Sequence, residues 1–515
     1  MSQLASITRR GFLGASAATG AFLMLGANAR AETPKRGGRM VIATREGSTT
    51  DSTDPGLLTN AYQWYLAYAF TSTLTEILPD GSVGPALAES WDSKDAKTWR
   101  FTLRKGVTFH SGKALTADDV VASIEHHRKP DSTSFVAPIA KQIAEIKADG
   151  PDAVVITLSQ PNADLPASFN TPGFTIYPAS SDGGMDWQSR DGTGGYLLKE
   201  HEPGVRSFLV RNPDYWRSDR AFADEVELLC IPDATARINA LVTGQVNAID
   251  EVDLKTVALL QRQSGIVVEE TTGPLHYSFP MRTDVGPFDN VDVRLAVKHA
   301  INRQEMLDKI LLGHGTIGND TPIGPSYRYQ DTNLAQNAYD PEKAKFHLKK
   351  AGLSSLDIDL STSEAAFAGA TDAAVLFAEQ AREASININV VREPADGYWD
   401  NIWLKKPFCA AYWGGYPTES EMFAIGYAPG APWNDTFWTQ PEFEELRLAA
   451  AAELDDGKRR EMYSRMQAIV RDEGGALIFA FANAVSARNQ SIAHGPIASN
   501  TGFDGGRIAE RWWMV

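Results

Sequence analysis

The first apolar run of the folded chain, Met40-Val41-Ile42-Ala43 within Arg39–Thr44, is short and continuous, as a buried strand requires. The polar stretch 46–56 after it marks a turn. At 99–103 the period changes to two: Trp99, Phe101 and Leu103 alternate with polar partners, predicting a strand with one wet face. Thr116-Ala117-Asp118-Asp119 then opens a helix, Thr116 as N-cap and Asp119 in the capping-box position, with Val120, Val121 and Ile124 as its inward stripe. Asp340-Pro341-Glu342 starts another, with Ala344, Leu348 and Ala351 on one face and Gly352 as the stop. The pattern over 442–470 predicts two amphipathic helices broken at Asp455-Asp456-Gly457. Further apolar strands recur at 226–231, 266–268, 386–391 and 476–481. Strands alternating with helices predict an α/β chain of several βα units rather than a barrel of eight. No period of 20–50 residues suggests a solenoid.

At 515 residues the chain exceeds what one hydrophobic core organises, so two to four domains or lobes are expected. The net charge is −16, and 1–31 hold three arginines and no acid, so the rest stands at −19. A surface that negative repels a phosphate backbone, and no nucleic-acid partner is expected. Two cysteines cannot build a disulfide scaffold, an iron–sulfur site or a Cys-rich zinc site. Within 1–31, Thr8-Arg9-Arg10-Gly11-Phe12-Leu13 resembles the twin-arginine export motif, with Arg9 and Arg10 as the signal pair. Residues 11–26 are uncharged but too short for a membrane span. Ala27-Asn28-Ala29 and Ala29-Arg30-Ala31 offer cleavage near residue 29 or 31. No cysteine follows for lipid attachment, and no later stretch reaches about 18 consecutive apolar residues. The expected mature protein is periplasmic, with the twin-arginine machinery as an export partner. That route keeps a rival open, an exported periplasmic enzyme with a cofactor.

The sequence carries no recognisable catalytic constellation. Gly106 to Lys113 (GVTFHSGK) has five residues between its glycines instead of the four of a phosphate loop, and Ala114 where Ser or Thr is needed; it predicts a hairpin turn. Gly192-Thr193-Gly194-Gly195 lacks the spacing of a dinucleotide fingerprint and is read as a flexible turn. No G-x-S-x-G elbow and no H-x-x-x-H pair occur. His126 and His127 diverge by about 100° on a helix and are read as solvated. No catalytic residue, metal site or cofactor is assigned.

The aromatics are distributed unevenly. Residues 398–438 hold twelve of them in forty-one positions, five being tryptophans, interleaved with Gly414, Gly415, Pro417, Gly430 and Pro432. Rings on irregular backbone combine contact area with a polar tip, which suits a ligand cleft. Trp413, Tyr416 and Trp433 are expected to line one, and Trp399 and Trp403 to pack in the core.

Taken in order, the motifs resemble the periplasmic solute-binding proteins of the peptide/nickel class (family 5) of ATP-driven importers. The blocks are Leu87-Ala88-Glu89-Ser90-Trp91 with 99–109 (WRFTLRKGVTF) and 115–120; Gly192-Thr193-Gly194-Gly195-Tyr196 with 211–216 (RNPDYW); 232–249; 287–294 (PFDNVDVR); and 339–344 (YDPEKA). They span about 38 to 490 and specify scaffold more than ligand.

The resemblance implies a two-lobed periplasmic-binding-protein clamp, type II-like, with an extra domain inserted in the first lobe. Domain I would comprise 32–62, 190–271 and 486–515, domain II 63–189 and domain III 272–485. The implied function is that of the substrate-binding component of an ABC importer. It would hold a di- or oligopeptide, or a peptide-like solute, between the lobes and deliver it to the membrane permease and its ATPase subunits. An opine or an oligosaccharide is the alternative cargo. A monomer without cofactor is expected, and no bond is made or broken. The family's peptide binders hold the ligand's amino group with an aspartate soon after a Trp-Gly-like strand end. Here that segment reads Tyr412-Trp413-Gly414-Gly415-Tyr416-Pro417-Thr418-Glu419-Ser420-Glu421, with no aspartate at that place. Glu419, or else Glu421, is the candidate substitute, since a buried ammonium needs a paired anion. The candidate ligand-binding set is Tyr412, Trp413, Tyr416, Glu419, Trp433 and Asn434, the last offering an amide. Cys230 and Cys409 fall in different implied domains, where a bridge would lock the hinge, so two buried thiols are expected.

Overall fold

The computed structural model describes residues 33–515. The expected first strand is Arg39–Thr44, with Met40, Ile42 and Ala43 fully buried. It lies between Glu225–Cys230 and Ala248–Ile249, parallel to both. Arg206–Arg211 and then Tyr196–Glu202 extend this sheet antiparallel on one side. On the other side run two long strands, Ala476–Asn489 and Ile266–Pro280, antiparallel to each other, with Ala411–Trp413 as the final edge and Gly315–Ile317 beside Ala476–Asn489. The result is one nine-stranded mixed sheet.

The long pair joins two halves of the molecule. Its ladder is regular from Ile266 to Thr272, shifts register, and resumes at His276 opposite Phe481. On one side of the shift the core contains Met40, Ile42, Leu209, Val226 and Trp512, with a satellite of Leu241, Val257 and Val485. On the other side it contains Phe279, Phe377, Phe408 and Leu477, joined by Met422, Phe423 and Tyr463. A fully buried side chain of this size stabilises by about 1.5–3 kcal/mol, so each half has a core of its own.

The stretch between the first strand and Tyr196–Glu202 builds a separate layer. Ala88–Ser93, Thr98–Leu103, Ala153–Leu158 and Ile143–Ala148 make an antiparallel sheet in that order. Helix Ala117–Arg128 packs on it through Val120 and Ile124, both fully buried, with Val121 half-buried. The capping box is present: Thr116 N–H donates to Asp119 Oδ2 at 2.8 Å. The core of this unit extends from Leu74 to Ile176. Helix Ala61–Phe70 packs instead with Met40 and Ile42 through Tyr62, Tyr65, Leu66 and Phe70. The expected cut between 62 and 63 therefore falls inside a helix that belongs to the first core.

In the second half the parallel strands Leu356–Thr362 and Ile386–Arg392 are joined through helix Ala370–Ala381 as a βαβ unit. Asp340 accepts from Lys343 N–H at 2.8 Å to start Pro341–Lys350, and Gly352 stops it at φ +81°. The two helices expected over 442–470 are Pro441–Ala452 and Asp456–Glu473, the second capped by Asp455.

Two local expectations are corrected. The turn at Gly192 and Gly194 is tightly packed. A Cβ on Gly192 would stand 1.9 Å from the Phe70 carbonyl oxygen, and one on Gly194 2.4 Å from the Phe70 carbonyl carbon, so backbone contact is why these positions lack side chains. His126 and His127 are not solvated. His126 Nε2 contacts Asp54 Oδ1 at 2.8 Å, and His127 is fully buried against Phe174 with its Nδ1 on Ser134 Oγ, desolvation lowering its pKa to about 4. The Gly106–Lys113 segment turns as a hairpin, with Phe109 N–H donating to the Lys113 carbonyl. Both cysteines are free, Cys409 buried and Cys230 only partly so. Arg9 and Arg10 lie outside the described residues.

Candidate functional site

A cavity of about 230 Å³ lies between the two halves, beside the register shift of the long strands. Trp64 and Tyr68, one turn apart on helix Ala61–Phe70, form part of the first-half wall with Asp164, Ala167 and Asn170. The opposite wall comes from Tyr327, Arg328 and Tyr329 and from Gly414 to Glu419, which follow the edge strand Ala411–Trp413. Pro274 sits at the break in the ladder, and Asn500 and Thr501 close a third side. Gly415 has φ +83°, and an added Cβ would stand 2.2 Å from Pro274 Cβ, so only glycine lets the segment after the edge strand pass Pro274 there.

Glu419 opens helix Glu419–Gly426, whose N-cap Thr418 accepts from Glu421 N–H at 3.2 Å. It is 4% exposed and accepts one short bond, from Tyr329 N–H at 2.6 Å. Burial and the nearby Asp164 carboxylate push its pKa up to about 7, against the Tyr329 N–H, which favours the charged form. Two residues on, Glu421 accepts from Ser168 Oγ at 2.7 Å through Oε1, while its Oε2 is buried with no partner. Burial raises it to about 7 as well. Asp164, contributed by the first half, meets Arg459 Nη2 of the second half at 2.5 Å. Arg459 lies over the rings of Tyr329 and Tyr463, 5.1 and 5.5 Å from their centroids. Asp164 and Glu419 thus share this end of the cavity with the Arg459 guanidinium close to both, and Glu421 stands outside the lining near Asp164.

The expected ligand set separates into two groups. Tyr416 and Glu419 line the cavity. The other four do not. Tyr412 is exposed, edge-on to Trp399 at 5.5 Å. Trp413 is buried, its Nε1 donating to Asp435 Oδ2 at 3.1 Å and its ring 6.5 Å from Tyr416. Trp433 is 48% exposed and packs edge-on against Trp403 and Trp413. Asn434 donates to the carbonyls of Ala428 and Trp438, so its amide ties its own loop. Asp435, between these rings, accepts from Trp403 Nε1 as well, and burial lifts its pKa to about 6. Trp399 is exposed rather than in the core, and Trp403 is partly buried. Sequence reasoning missed Trp64, Tyr68, Asp164 and Arg459. Among the described residues no group of His, Cys, Asp and Glu is arranged to hold a metal ion, and no helix is long and apolar enough to cross a membrane.

Comparison with known proteins adds to this geometry. The family model described as "Bacterial extracellular solute-binding proteins, family 5 Middle" matches residues 82–435. Di/tripeptide-binding protein 1 of Pseudomonas aeruginosa is 25% identical over 500 residues, covering 87% of this chain and 90% of that protein. The nickel-binding periplasmic protein of Escherichia coli is 28% identical over 291 residues, covering 54% of this chain and 55% of that one. Among solved structures, that of HbpA2 from Haemophilus parasuis superposes with a TM-score of 0.81 at 21% identity, over 91% of this chain and 99% of that one.

Proposed function

Because this chain belongs to the family 5 bacterial extracellular solute-binding proteins, we propose that it is the periplasmic component of an ABC importer that captures a di- or oligopeptide, or a peptide-like solute with a cationic group. The solute is held between the lobes and handed to the membrane permease, with no bond made or broken. The observation that carries this reading is Glu419, a buried carboxyl on the cavity wall that has one N–H donor and no cation of its own. An ammonium placed there offsets the desolvation that now raises its pKa. Trp64, Tyr68 and Tyr416 add flat apolar contact for the rest of the solute. The lobes hinge near 271 and 485, where the long strands cross between the halves, and a solute that touches both walls favours closure by population shift. Arg9 and Arg10 direct export by the twin-arginine route, with cleavage near residue 29 or 31, and the chain acts as a monomer.

Native mass spectrometry of protein purified without refolding weighs any co-purified solute. Thermal melts against separate pools of di- to pentapeptides, opines and oligosaccharides then assign the class, since a ligand that binds only the folded state raises the melting temperature. Stabilisation by the peptide pool is expected. Stabilisation by the opine or oligosaccharide pool alone, or a stoichiometric haem or nickel ion, would overturn the cargo assignment, and a stoichiometric flavin would overturn the transport reading.

A further inference from the structure

The short segment 163–168 of the first half is fastened to three separate helices of the second. Ala163 N–H donates to the Ala451 carbonyl at 2.8 Å, at the end of Pro441–Ala452. Asp164 pairs with Arg459 on Asp456–Glu473. Ser168 Oγ donates to Glu421 on Glu419–Gly426. All three contacts run between the two halves, and all three break if the halves separate.

The charges at this latch do not balance. Glu419 and Glu421 face Asp164 from across the cleft. Among the described residues the one cation buried with them is Arg459, which is engaged with Asp164 and also lies within 3.3–3.4 Å of the phenol oxygens of Tyr463 and Tyr329. The other ionisable groups facing them are the phenols of Tyr327 and Tyr416. Around Tyr329, Asp456 bonds its phenol, and Arg328 and Arg460 lie over its ring. Arg328 and Arg460 are about half exposed and paired with Asp456. Closing the halves therefore brings two further carboxyl groups under cover with no cation for them.

We propose that this latch makes protons compete with the solute: mild acid closes the clamp empty by protonating Glu419 and Glu421, and at higher pH closure requires a cationic solute beside Glu419 in place of its proton. The proposal rests on the clamp reading above and names what regulates its site. The direction follows from linkage. A carboxyl whose pKa is higher in the closed state than in the open one binds more protons when closed, so the closed form gains below the closed-state value and loses as pH rises through it. For one such group moving between 4.5 and about 7, the closed-to-open ratio changes roughly thirtyfold between pH 5.5 and pH 8.0.

The test uses the full mature chain without any solute. Hydrogen exchange of segment 162–170 is measured at pH 5.5 and 8.0, corrected for intrinsic exchange, alongside small-angle scattering. Wild type should show protection of the Ala163 amide at least tenfold greater at pH 5.5, with a smaller radius of gyration. Glu421→Gln and Glu419→Gln should each reduce that pH dependence, and the double variant should abolish it. Thermal melts confirm that each variant is folded. Wild-type protection that does not change with pH overturns the proposal, as does full pH dependence in the double variant. If the acid-strengthened latch is seen and no peptide stabilises the protein, the latch stands and the cargo reading fails.

Discussion

Arg459→Met removes the buried guanidinium at the latch while keeping a long apolar stem over Tyr329 and Tyr463. Asp164 and Arg459 side chains are only 10% and 6% exposed, so the substitution leaves a nearly buried carboxylate unpaired in the closed form. A buried charge stripped of its partner costs about 3–5 kcal/mol. Opening of the halves returns Asp164 to water, so most of that cost appears as easier opening and little as global unfolding. At the lower bound of about 3 kcal/mol, and with 1.4 kcal/mol per decade, opening becomes roughly a hundredfold more frequent. Hydrogen exchange at the Ala163 amide, whose acceptor is the Ala451 carbonyl, reads this directly. Exchange there should accelerate by about two orders of magnitude, with the cores at Phe101 and Phe279 still protected. Asp164→Asn combined with Arg459→Met should recover part of the loss, because no buried charge is then stranded. The reasoning is refuted if Arg459→Met exchanges within about twofold of wild type, or if the double variant opens as readily as the single one.

Gly194→Ala should lower the melting temperature by several degrees, since its Cβ would stand 2.4 Å from the Phe70 carbonyl carbon and overpacking costs about 1–3 kcal/mol or more; an unchanged melt would show that the turn can yield. Asp320 binds Arg303 through both oxygens at 2.6 and 2.7 Å and also accepts from Ile478 N–H at 3.1 Å. Asp320→Asn strands that guanidinium in the second core and should cost about 3–5 kcal/mol in chemical denaturation. Capture of a cationic solute at pH 6 should release protons, visible as a titration heat that depends on the buffer, and the release should vanish near pH 8.

Much of the scaffold was legible because its signals are local. The strand at Arg39–Thr44, the caps at Thr116 and Asp340 and the helix pair after Pro441 each rest on a few neighbouring residues. Of the expected ligand residues, Tyr416, taken from the aromatic-rich stretch, and Glu419, taken from the family resemblance, lie on the cavity wall. Asn434 looked like a free amide, yet its own loop takes both its bonds. Trp413 looked like a cleft wall, yet it is buried with its indole bonded to Asp435 and packed on Trp433, outside the cavity lining. Asp164 and Arg459 could not have been paired from sequence, since 295 positions separate them and each resembles an ordinary solvated helix-end charge. Glycines 192 and 194 carried no sign of the Phe70 backbone that excludes any side chain there.

The central claim is that a cationic group of a peptide-like solute is held at Glu419 in the closed cleft. Isothermal titration of a tripeptide, with its amino terminus free or acetylated, into wild type and Glu419→Gln at pH 7.5 tests it most directly. Wild type should bind the free amine roughly a hundredfold or more tighter than the acetylated peptide, since a stranded buried charge costs about 3–5 kcal/mol. Glu419→Gln should lose that preference. Equal binding of the two peptides by wild type, or an undiminished preference in Glu419→Gln, would contradict the account.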